Sequence, residues 1–128
     1  VARALNRTLT GVLEPRSYGY GQLFEQFLVA EMARLCSYRQ RDYRLSYLRT
    51  KNQLEIDVIL DRPGMPLALI EIKSTHQASE SDAHAIRLML PDFGRAEGYV
   101  LSLDKVEKKI GQIWFLHWQK GLKALDLY

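Results

Sequence analysis

Two strand-like segments joined by a short turn place the strongest constraint on how this chain folds. Residues 53–61 and 66–73 alternate polar and apolar side chains, and the turn between them contains Pro63 and Gly64. Such a pattern is typical of an antiparallel hairpin. Because neighbouring side chains of a strand point to opposite faces, the hairpin is predicted to bury one apolar face. The residues assigned to that face are Leu54, Ile56, Val58, Leu60, Ala68, Ile70 and Ile72.

The polar face of the same hairpin carries a cluster of ionisable side chains. A turn centred near Gly64 predicts that Asp57 lies across from Glu71. The same register predicts that Glu55 lies across from Lys73. Opposed residues have Cβ atoms about 5 Å apart, so two carboxylates and a lysine are expected to meet in a small patch. A slip of one residue in the register would separate them.

Asp57, Glu71 and Lys73 together are suited to metal-dependent chemistry. Two adjacent carboxylates repel each other, and a hard divalent ion such as Mg²⁺ relieves that repulsion. The ion acidifies a bound water and stabilises charge on a phosphate, and the lysine can orient that water or donate to the phosphate. The pattern therefore favours phosphodiester hydrolysis. The alternative is an ordinary cross-strand salt-bridge pattern, in which Glu55 and Lys73 pair on the surface.

The rest of the sequence predicts a single α/β domain. An apolar period of three and four residues predicts a helix over residues 21–38. Ser79 with Asp82 is typical of the start of another helix, which Pro91 ends near Leu90. Further strands are predicted at 43–49, 97–103 and 112–117, with a charged connection at 104–109 and a last short helix from Trp118. This order predicts a mixed central sheet of about four to five strands flanked by helices.

Composition and length fit one globular domain without a membrane span. The chain has 128 residues, of which 47% are apolar and 26% charged. No apolar run reaches the ~18 residues that a membrane span needs. Cys36 is the single cysteine, so no disulfide can form within the chain. These features predict a cytoplasmic protein with no membrane partner. Because the sequence begins with Val1, we interpret it as a fragment of a longer polypeptide.

A basic segment in the first half of the chain is a candidate for nucleic-acid binding. Positive residues are frequent between positions 39 and 51 and are interleaved with Tyr43 and Tyr47. Cations neutralise phosphates and aromatic rings stack on bases, so this pattern predicts a DNA-binding patch. The alternative is a solvated basic strand edge. The residues assigned to the patch are Arg39, Arg41, Arg44, Arg49 and Lys51.

Four short segments, taken in their order and spacing, resemble a known domain. They are residues 21–28 (GQLFEQFL), 47–50 (YLRT), 55–60 (EIDVIL) and 70–74 (IEIKS). The set resembles the DUF4143-type C-terminal domain of bacterial and archaeal AAA+ family ATPases, a relative of the PD-(D/E)XK nucleases. The resemblance implies a restriction-endonuclease-like fold for residues 21–128. It also implies that residues 1–20 are a residual linker or N-terminal helix after an ATPase module.

The resemblance further implies roles for individual residues. Asp57 and Glu71, with the carbonyl group of Ile72, match positions that hold Mg²⁺ or Mn²⁺ in such nucleases. Lys73 matches the catalytic lysine, and Glu25 matches an additional acidic residue of the site. The implied activity is that of a Mg-dependent deoxyribonuclease. The implied partners are DNA, the ATPase module of the same polypeptide and further copies of the chain.

Two other functions stay open on the sequence. The first is a catalytically inactive module that binds nucleic acid or a protein and thereby targets or regulates the ATPase. The second is an interaction domain whose acid–lysine hairpin is a salt-bridged surface. Metal binding distinguishes the nuclease from both of these functions. Salt-dependent DNA binding without a metal would favour the first of them.

Overall fold

The computed structural model describes residues 18–38, 42–50 and 53–128. The helices in these ranges are α1 (Tyr18–Tyr38), α2 (His84–Met89) and α3 (Trp118–Ala124), and 3₁₀ turns at Glu80–Ala83 and Leu90–Asp92 flank α2. The strands are β1 (Arg44–Arg49), β2 (Glu55–Asp61), β3 (Leu67–Ile72), β4 (Ala96–Ser102), β5 (Lys108–Ile110) and β6 (Ile113–His117). None of the helices in these ranges has the length and hydrophobicity of a membrane-crossing segment.

The strands form one six-stranded mixed sheet in the order β1-β2-β3-β4-β6-β5. β1, β2 and β3 are antiparallel neighbours, β3, β4 and β6 run parallel, and β5 returns antiparallel to β6. The predicted α/β class is confirmed, but the predicted number of strands is too small. The missed strand is β5, which begins in the segment predicted as a charged connection. Its three residues include Lys108 and Lys109 and are too few to show an alternating apolar pattern.

Helices cover both faces of the sheet and enclose two apolar clusters. The first cluster joins α1 and α3 to one face through Leu28, Met32, Val58, Ile70, Leu101 and Leu122. The second cluster joins α2 to the other face through Leu69, Ile86, Met89, Val100 and Phe115. Burial of apolar surface stabilises the fold by about 25 cal/mol per Å². Because both faces are covered, a polar site is expected at the ends of the strands.

The segment between β3 and β4 differs from the continuous helix predicted for residues 79–90. Only six residues are α-helical, and 3₁₀ turns precede and follow them. The predicted contact at the start is present, since the backbone amide of Ser79 donates to Oδ2 of Asp82 at 2.9 Å. A Cβ atom at Gly98 of β4 would lie 2.6 Å from Cγ2 of Ile86. The short helix α2 therefore packs very closely on the sheet.

The predicted register of the β2–β3 hairpin is confirmed. Val58 pairs with Ile70, and the next two pairs keep that alignment. When this alignment is extended by one residue pair beyond Val58 and Ile70, Asp57 lies across from Glu71. Two carboxylates are thus held on neighbouring strands, as the turn position predicts.

A β-bulge interrupts β2 at Asp57. Between two flanking pairs of β1 and β2, β1 has the single residue Tyr47 whereas β2 has both Asp57 and Val58. The extra residue shifts the alternation of β2, so Ile56 packs in the second apolar cluster while Val58 packs in the first. The prediction that Ile56 and Val58 share one face is therefore wrong. Bulges redirect side chains at strand ends, and this one lies at the start of β2 beside the candidate site.

Candidate functional site

A polar cavity of about 730 Å³ opens between α1, the segment around α2, the start of β2 and the end of β3. We refer to it as the carboxylate cavity. The predicted catalytic side chains all line it: Glu25 from α1, Asp57 from β2, Glu71 from β3, and Lys73 directly after β3. Other parts of its wall come from Gln22, Arg49, Glu55, Ser74, Asp82 and His84. The fold therefore brings residues from three distant segments of the chain to one opening.

Asp57 is held by the backbone of the neighbouring strand. Its Oδ2 atom accepts a hydrogen bond of 2.8 Å from the backbone amide of Ile72. The pKa of Asp57 is raised to about 7, first by burial and then by the negative charge of Glu25. The Ile72 amide and the Lys73 ammonium act in the opposite direction but are weaker. Without a bound cation, this carboxyl group is therefore partly protonated at neutral pH.

Glu71 is the most deeply buried acidic side chain of the cavity, with 5% of its surface exposed. Its Oε2 atom lies 3.9 Å from Nζ of Lys73, whereas its Oε1 atom is buried and has no hydrogen-bond partner in the described structure. The pKa of Glu71 is raised to about 9, first by burial and then by the negative charge of Asp57. A buried carboxylate oxygen without a partner is costly, so Oε1 of Glu71 favours a proton or a cation in addition to the distant ammonium of Lys73.

Glu55 is paired with Arg49 rather than with Lys73. Arg49 and Glu55 are partners on β1 and β2, and Nη2 of Arg49 lies 3.2 Å from Oε1 of Glu55. Within the described ranges, no salt bridge joins Glu55 to Lys73. Glu55 pairs instead with Arg49, which lies directly across from it on β1, the neighbour of β2 on the side away from β3. Lys73 has 43% of its side chain exposed and is left with Glu71 as its acidic neighbour. The predicted Glu55–Lys73 salt bridge is thus absent, and the ion pairs found are Arg49–Glu55 and the longer Lys73–Glu71 contact. Neither of them supplies a partner for Oε1 of Glu71.

The predicted DNA-binding patch is only partly covered by the structure. Arg44 and Arg49 lie at opposite ends of β1, about 16 Å apart at ~3.3 Å per residue. Of these two, Arg49 lines the carboxylate cavity, where it is already paired with an acid. Arg39, Arg41 and Lys51 lie outside the described residues. The described part of the patch therefore gives the cavity one cation at its rim.

The acidic residues of the cavity fit a hard divalent cation. Mg²⁺ usually binds through one or two carboxylates and keeps several waters, and Asp57, Glu71 and the carbonyl group of Ile72 form a set of that kind. The main support for this fit is Oε1 of Glu71, which is buried and lacks a partner. No group of three His, Cys, Asp or Glu side chains in the described ranges forms a complete set of metal ligands. The fit therefore rests on two carboxylates rather than three.

Several polar residues of the cavity are absent from the predicted site, and three of them come from different parts of its wall. Gln22 lies on α1, Ser74 follows Lys73, and His84 begins α2. A Cβ atom at Gly21 would lie 3.4 Å from Oγ of Ser74, so α1 closely approaches the segment after β3. Ser74 could be found from its place beside Lys73. His84 has no such signal, because only the packing of α2 on the sheet brings it to this opening.

The raised pKa values of Asp57 and Glu71 predict how stability depends on pH. Both carboxyl groups bind a proton more tightly in the folded chain than in the unfolded chain, where carboxyl pKa values are about 4. The metal-free folded state therefore holds more protons above pH ~4. Its free energy of unfolding is expected to fall from about pH 4 upward, by on the order of 1 kcal/mol per pH unit for each carboxyl, until Asp57 has titrated near pH 7 and Glu71 near pH 9.

Urea unfolding at a series of pH values, with a chelator present, measures this dependence. A Glu71→Gln variant is the matched control, because it removes the upper of the two titrations and should unfold with a flatter pH profile. Stability that rises between pH 6 and 9 in the wild-type chain would contradict the assignment of raised pKa values.

Comparison with known proteins gives one family match. The model of the family described as Domain of unknown function (DUF4143) matches residues 20–120. That range includes Glu25, Asp57, Glu71 and Lys73, so the residues of the carboxylate cavity lie within the matched part of the chain. No match was found among the curated proteins or among the solved structures.

Proposed function

This chain belongs to the DUF4143 family, and we propose that it is a metal-dependent nuclease domain of the PD-(D/E)XK kind that hydrolyses phosphodiester bonds of DNA. The observation that carries the proposal is the convergence of Asp57, Glu71 and Lys73 on one polar cavity, with a buried oxygen of Glu71 left without a partner. Two carboxylates beside one lysine are the minimal set of groups for this chemistry.

Asp57 and Glu71, with the carbonyl group of Ile72, would hold Mg²⁺ or Mn²⁺. Both side chains have pKa values raised by burial and by their neighbouring acids, so each gains from a nearby positive charge. Glu25 adds negative charge close to Asp57 and strengthens the attraction for a cation. When bound, the ion supplies positive charge to a phosphate and acidifies a water.

Lys73 is the group that would act on the water or on the phosphate. Its ammonium lies at the mouth of the cavity, 3.9 Å from Oε2 of Glu71, and is partly exposed. From there it can orient an attacking water or donate a hydrogen bond to a phosphate oxygen. The backbone amide of Ile72, at the end of β3, holds the carboxylate of Asp57. Lys73 is the next residue along the chain, so the carboxylate and the lysine are positioned by adjoining residues.

An acidic cavity also explains why an anionic substrate would depend on a cation. The acids Glu25, Glu55, Asp57, Glu71 and Asp82 line the cavity, against the two bases Arg49 and Lys73. This lining offers a DNA phosphate little net positive charge unless a divalent ion adds it. Metal binding and substrate binding are therefore expected to be coupled. A cytoplasmic location and an attached AAA+-type ATPase module belong to the same proposal.

Isothermal titration of Mg²⁺ and Mn²⁺ tests the site directly. The wild-type chain is expected to bind the ion, and Asp57→Asn is expected to lower the affinity at least about tenfold, which equals ~1.4 kcal/mol. Asn is preferred to Ala because its amide oxygen can still accept from the backbone of Ile72.

Arg34→Gln provides a control, since Arg34 is exposed and pairs with Glu31 on α1. It should leave the affinity unchanged. Plasmid nicking in the same buffers then relates metal binding to cleavage. A wild-type chain that binds no metal, with or without a DNA oligonucleotide present, would exclude the nuclease and favour the inactive binding module.

A further inference from the structure

A second and larger cavity, of about 830 Å³, opens at the other end of β3. We call it the basic cleft. It lies between the start of β3 and β4, the turn before β4, the outer side of α2 and the β5–β6 hairpin. Residues that line it include Arg87, Phe93, Arg95, Lys109 and Ile110. None of these belongs to the DNA-binding patch predicted from the sequence.

The cations of the basic cleft are not paired with acids in the described part of the chain. Arg87, Arg95 and Lys109 are exposed and make no salt bridge or side-chain hydrogen bond with the described residues. Nζ of Lys109 lies 4.7 Å from the ring centroid of Trp114, a contact that leaves its charge uncompensated. Three positive charges are therefore available to an anionic ligand.

The acids of the basic cleft reduce this positive charge only in part. Oε1 of Glu97 lies 3.5 Å from Nη2 of the buried Arg62 and accepts a hydrogen bond of 3.1 Å from the hydroxyl of Tyr99. Its charge is therefore compensated from within the fold. Glu80 is the other acid in the lining. The basic cleft is thus positive, whereas the carboxylate cavity is negative.

The lining of the basic cleft also includes apolar and aromatic side chains. Phe93 is half-buried, and 38% of the surface of Ile110 is exposed. Gly94 and Gly111 add no side chains to the walls, and a Cβ atom at either would meet nothing within 4 Å. Phe93 packs against the second apolar cluster and keeps part of its surface exposed. A positively charged groove with a partly exposed aromatic side chain is a combination that proteins use to bind single-stranded nucleic acid.

The two cavities share α2 as a wall. His84 and Ala85 line the carboxylate cavity, whereas Arg87, on the next part of the same helix, lines the basic cleft. β3 runs between them over six residues, about 20 Å at ~3.3 Å per residue. Nucleotides in stacked B-form DNA are ~3.4 Å apart along one strand, so that distance corresponds to at most about six nucleotides and to fewer in an extended single strand. A nucleic-acid strand that crosses α2 can therefore reach both cavities.

We propose that the basic cleft binds a single strand of nucleic acid, with phosphates on Arg87, Arg95 and Lys109 and an unpaired base against Phe93. The inference rests on the proposed function, since it makes the cleft the holding site for the strand that the carboxylate cavity cuts. It defines the substrate as one whose single-stranded segment beside the cleavage point spans about 20 Å, which is up to about six nucleotides.

Fluorescence anisotropy with a labelled 12-nucleotide oligodeoxythymidine in EDTA tests this binding without any cleavage. Arg87→Gln, Arg95→Gln and Lys109→Gln are each expected to weaken binding about threefold to tenfold and to reduce the slope of log K against log salt by ~0.7. Phe93→Ala is expected to weaken binding about tenfold or more through lost stacking. A duplex of the same length should bind more weakly and should not respond to Phe93→Ala.

Lys105→Gln is the matched control, because Lys105 is exposed and lines neither cavity. The proposal is overturned if the wild-type chain does not bind the oligonucleotide in EDTA, if the three cleft variants bind as the wild type does, or if Lys105→Gln weakens binding equally. Preferred binding of the duplex would also overturn it. If the chain binds the oligonucleotide in EDTA but does not cleave DNA in Mg²⁺, the result would count against the proposed nuclease activity alone. The two proposals can therefore fail separately.

Discussion

Cleavage of supercoiled plasmid DNA in Mg²⁺ is expected to fall by about 10²–10⁴-fold when Lys73 is replaced by Ala. The reason is that Lys73 provides the ammonium beside Glu71 at the mouth of the carboxylate cavity. The fold should be little affected, because the side chain is 43% exposed and its contact with Glu71 is long, at 3.9 Å. We therefore expect a change of less than about 0.5 kcal/mol in the free energy of unfolding.

Lys120→Ala is the control for this variant. Lys120 also pairs with a glutamate, Glu107, at 2.7 Å, but it lies in α3 and does not line the carboxylate cavity. It should cleave at the wild-type rate. Equal cleavage by Lys73→Ala and the wild type, with metal binding intact in both, would contradict the catalytic role of Lys73. If Lys73→Ala lost cleavage and circular dichroism showed that it had also unfolded, Lys73 would be needed for the fold. That result would contradict its assignment to the site.

Replacing Arg62 by Ala is expected to destabilise the fold by about 3 kcal/mol and to lower Tm by on the order of 10 °C. Among the described residues, Arg62 is the largest fully buried side chain, with 1% of its surface exposed. Its guanidinium donates to the carbonyl groups of Pro66 and Leu125 at 3.2 and 3.4 Å and lies 3.5 Å from Glu97. The truncation would leave two carbonyl groups without a donor and a space the size of a long side chain.

Two further variants separate the causes of that loss. Arg62→Met keeps most of the buried volume and removes the hydrogen bonds, so it should cost less than Arg62→Ala. Glu97→Gln keeps an acceptor on a side chain that is 38% exposed, and we expect a loss below about 1 kcal/mol. Thermal and urea unfolding measure all three. A Tm of Arg62→Ala within about 2 °C of the wild type would show that this residue does not anchor the end of the chain at Leu125.

The hairpin and its acids could be predicted from the sequence because their signals are local. The turn near Gly64 sets the register, and the register alone brings Asp57 level with Glu71. Helix α1 was predicted from its apolar period, although it begins at Tyr18, three residues before the predicted start. Each of these features depends on residues that are close together in sequence.

The missed features depend on contacts between distant segments. The sequence places Arg62 in the turn between the two predicted strands. Its burial is explained only by its contacts with Leu125 and Glu97, which are distant in sequence. The bulge at Asp57 has no short pattern that marks it, because one extra residue on β2 is visible only against β1. The basic cleft was missed for the same reason, since its cations come from α2, the turn before β4 and the β5–β6 hairpin.

The hydrogen bond from the Ile72 amide to Asp57 has a consequence for how sequences of this family diverge. An alanine at 57 would leave that amide without an acceptor, so we expect a stable fold to favour Asp or Asn there whether or not the domain cuts DNA. Glu71 is different, because burial raises its pKa to about 9 and its charged form costs stability, so the fold alone gives no reason to keep it. If the proposed function is right, relatives without that chemistry should vary at 71 and 73 while 57 stays polar. Under the same proposal, retention of Asp57 alone would reflect the fold, whereas joint retention of Glu71 and Lys73 would point to metal-dependent chemistry.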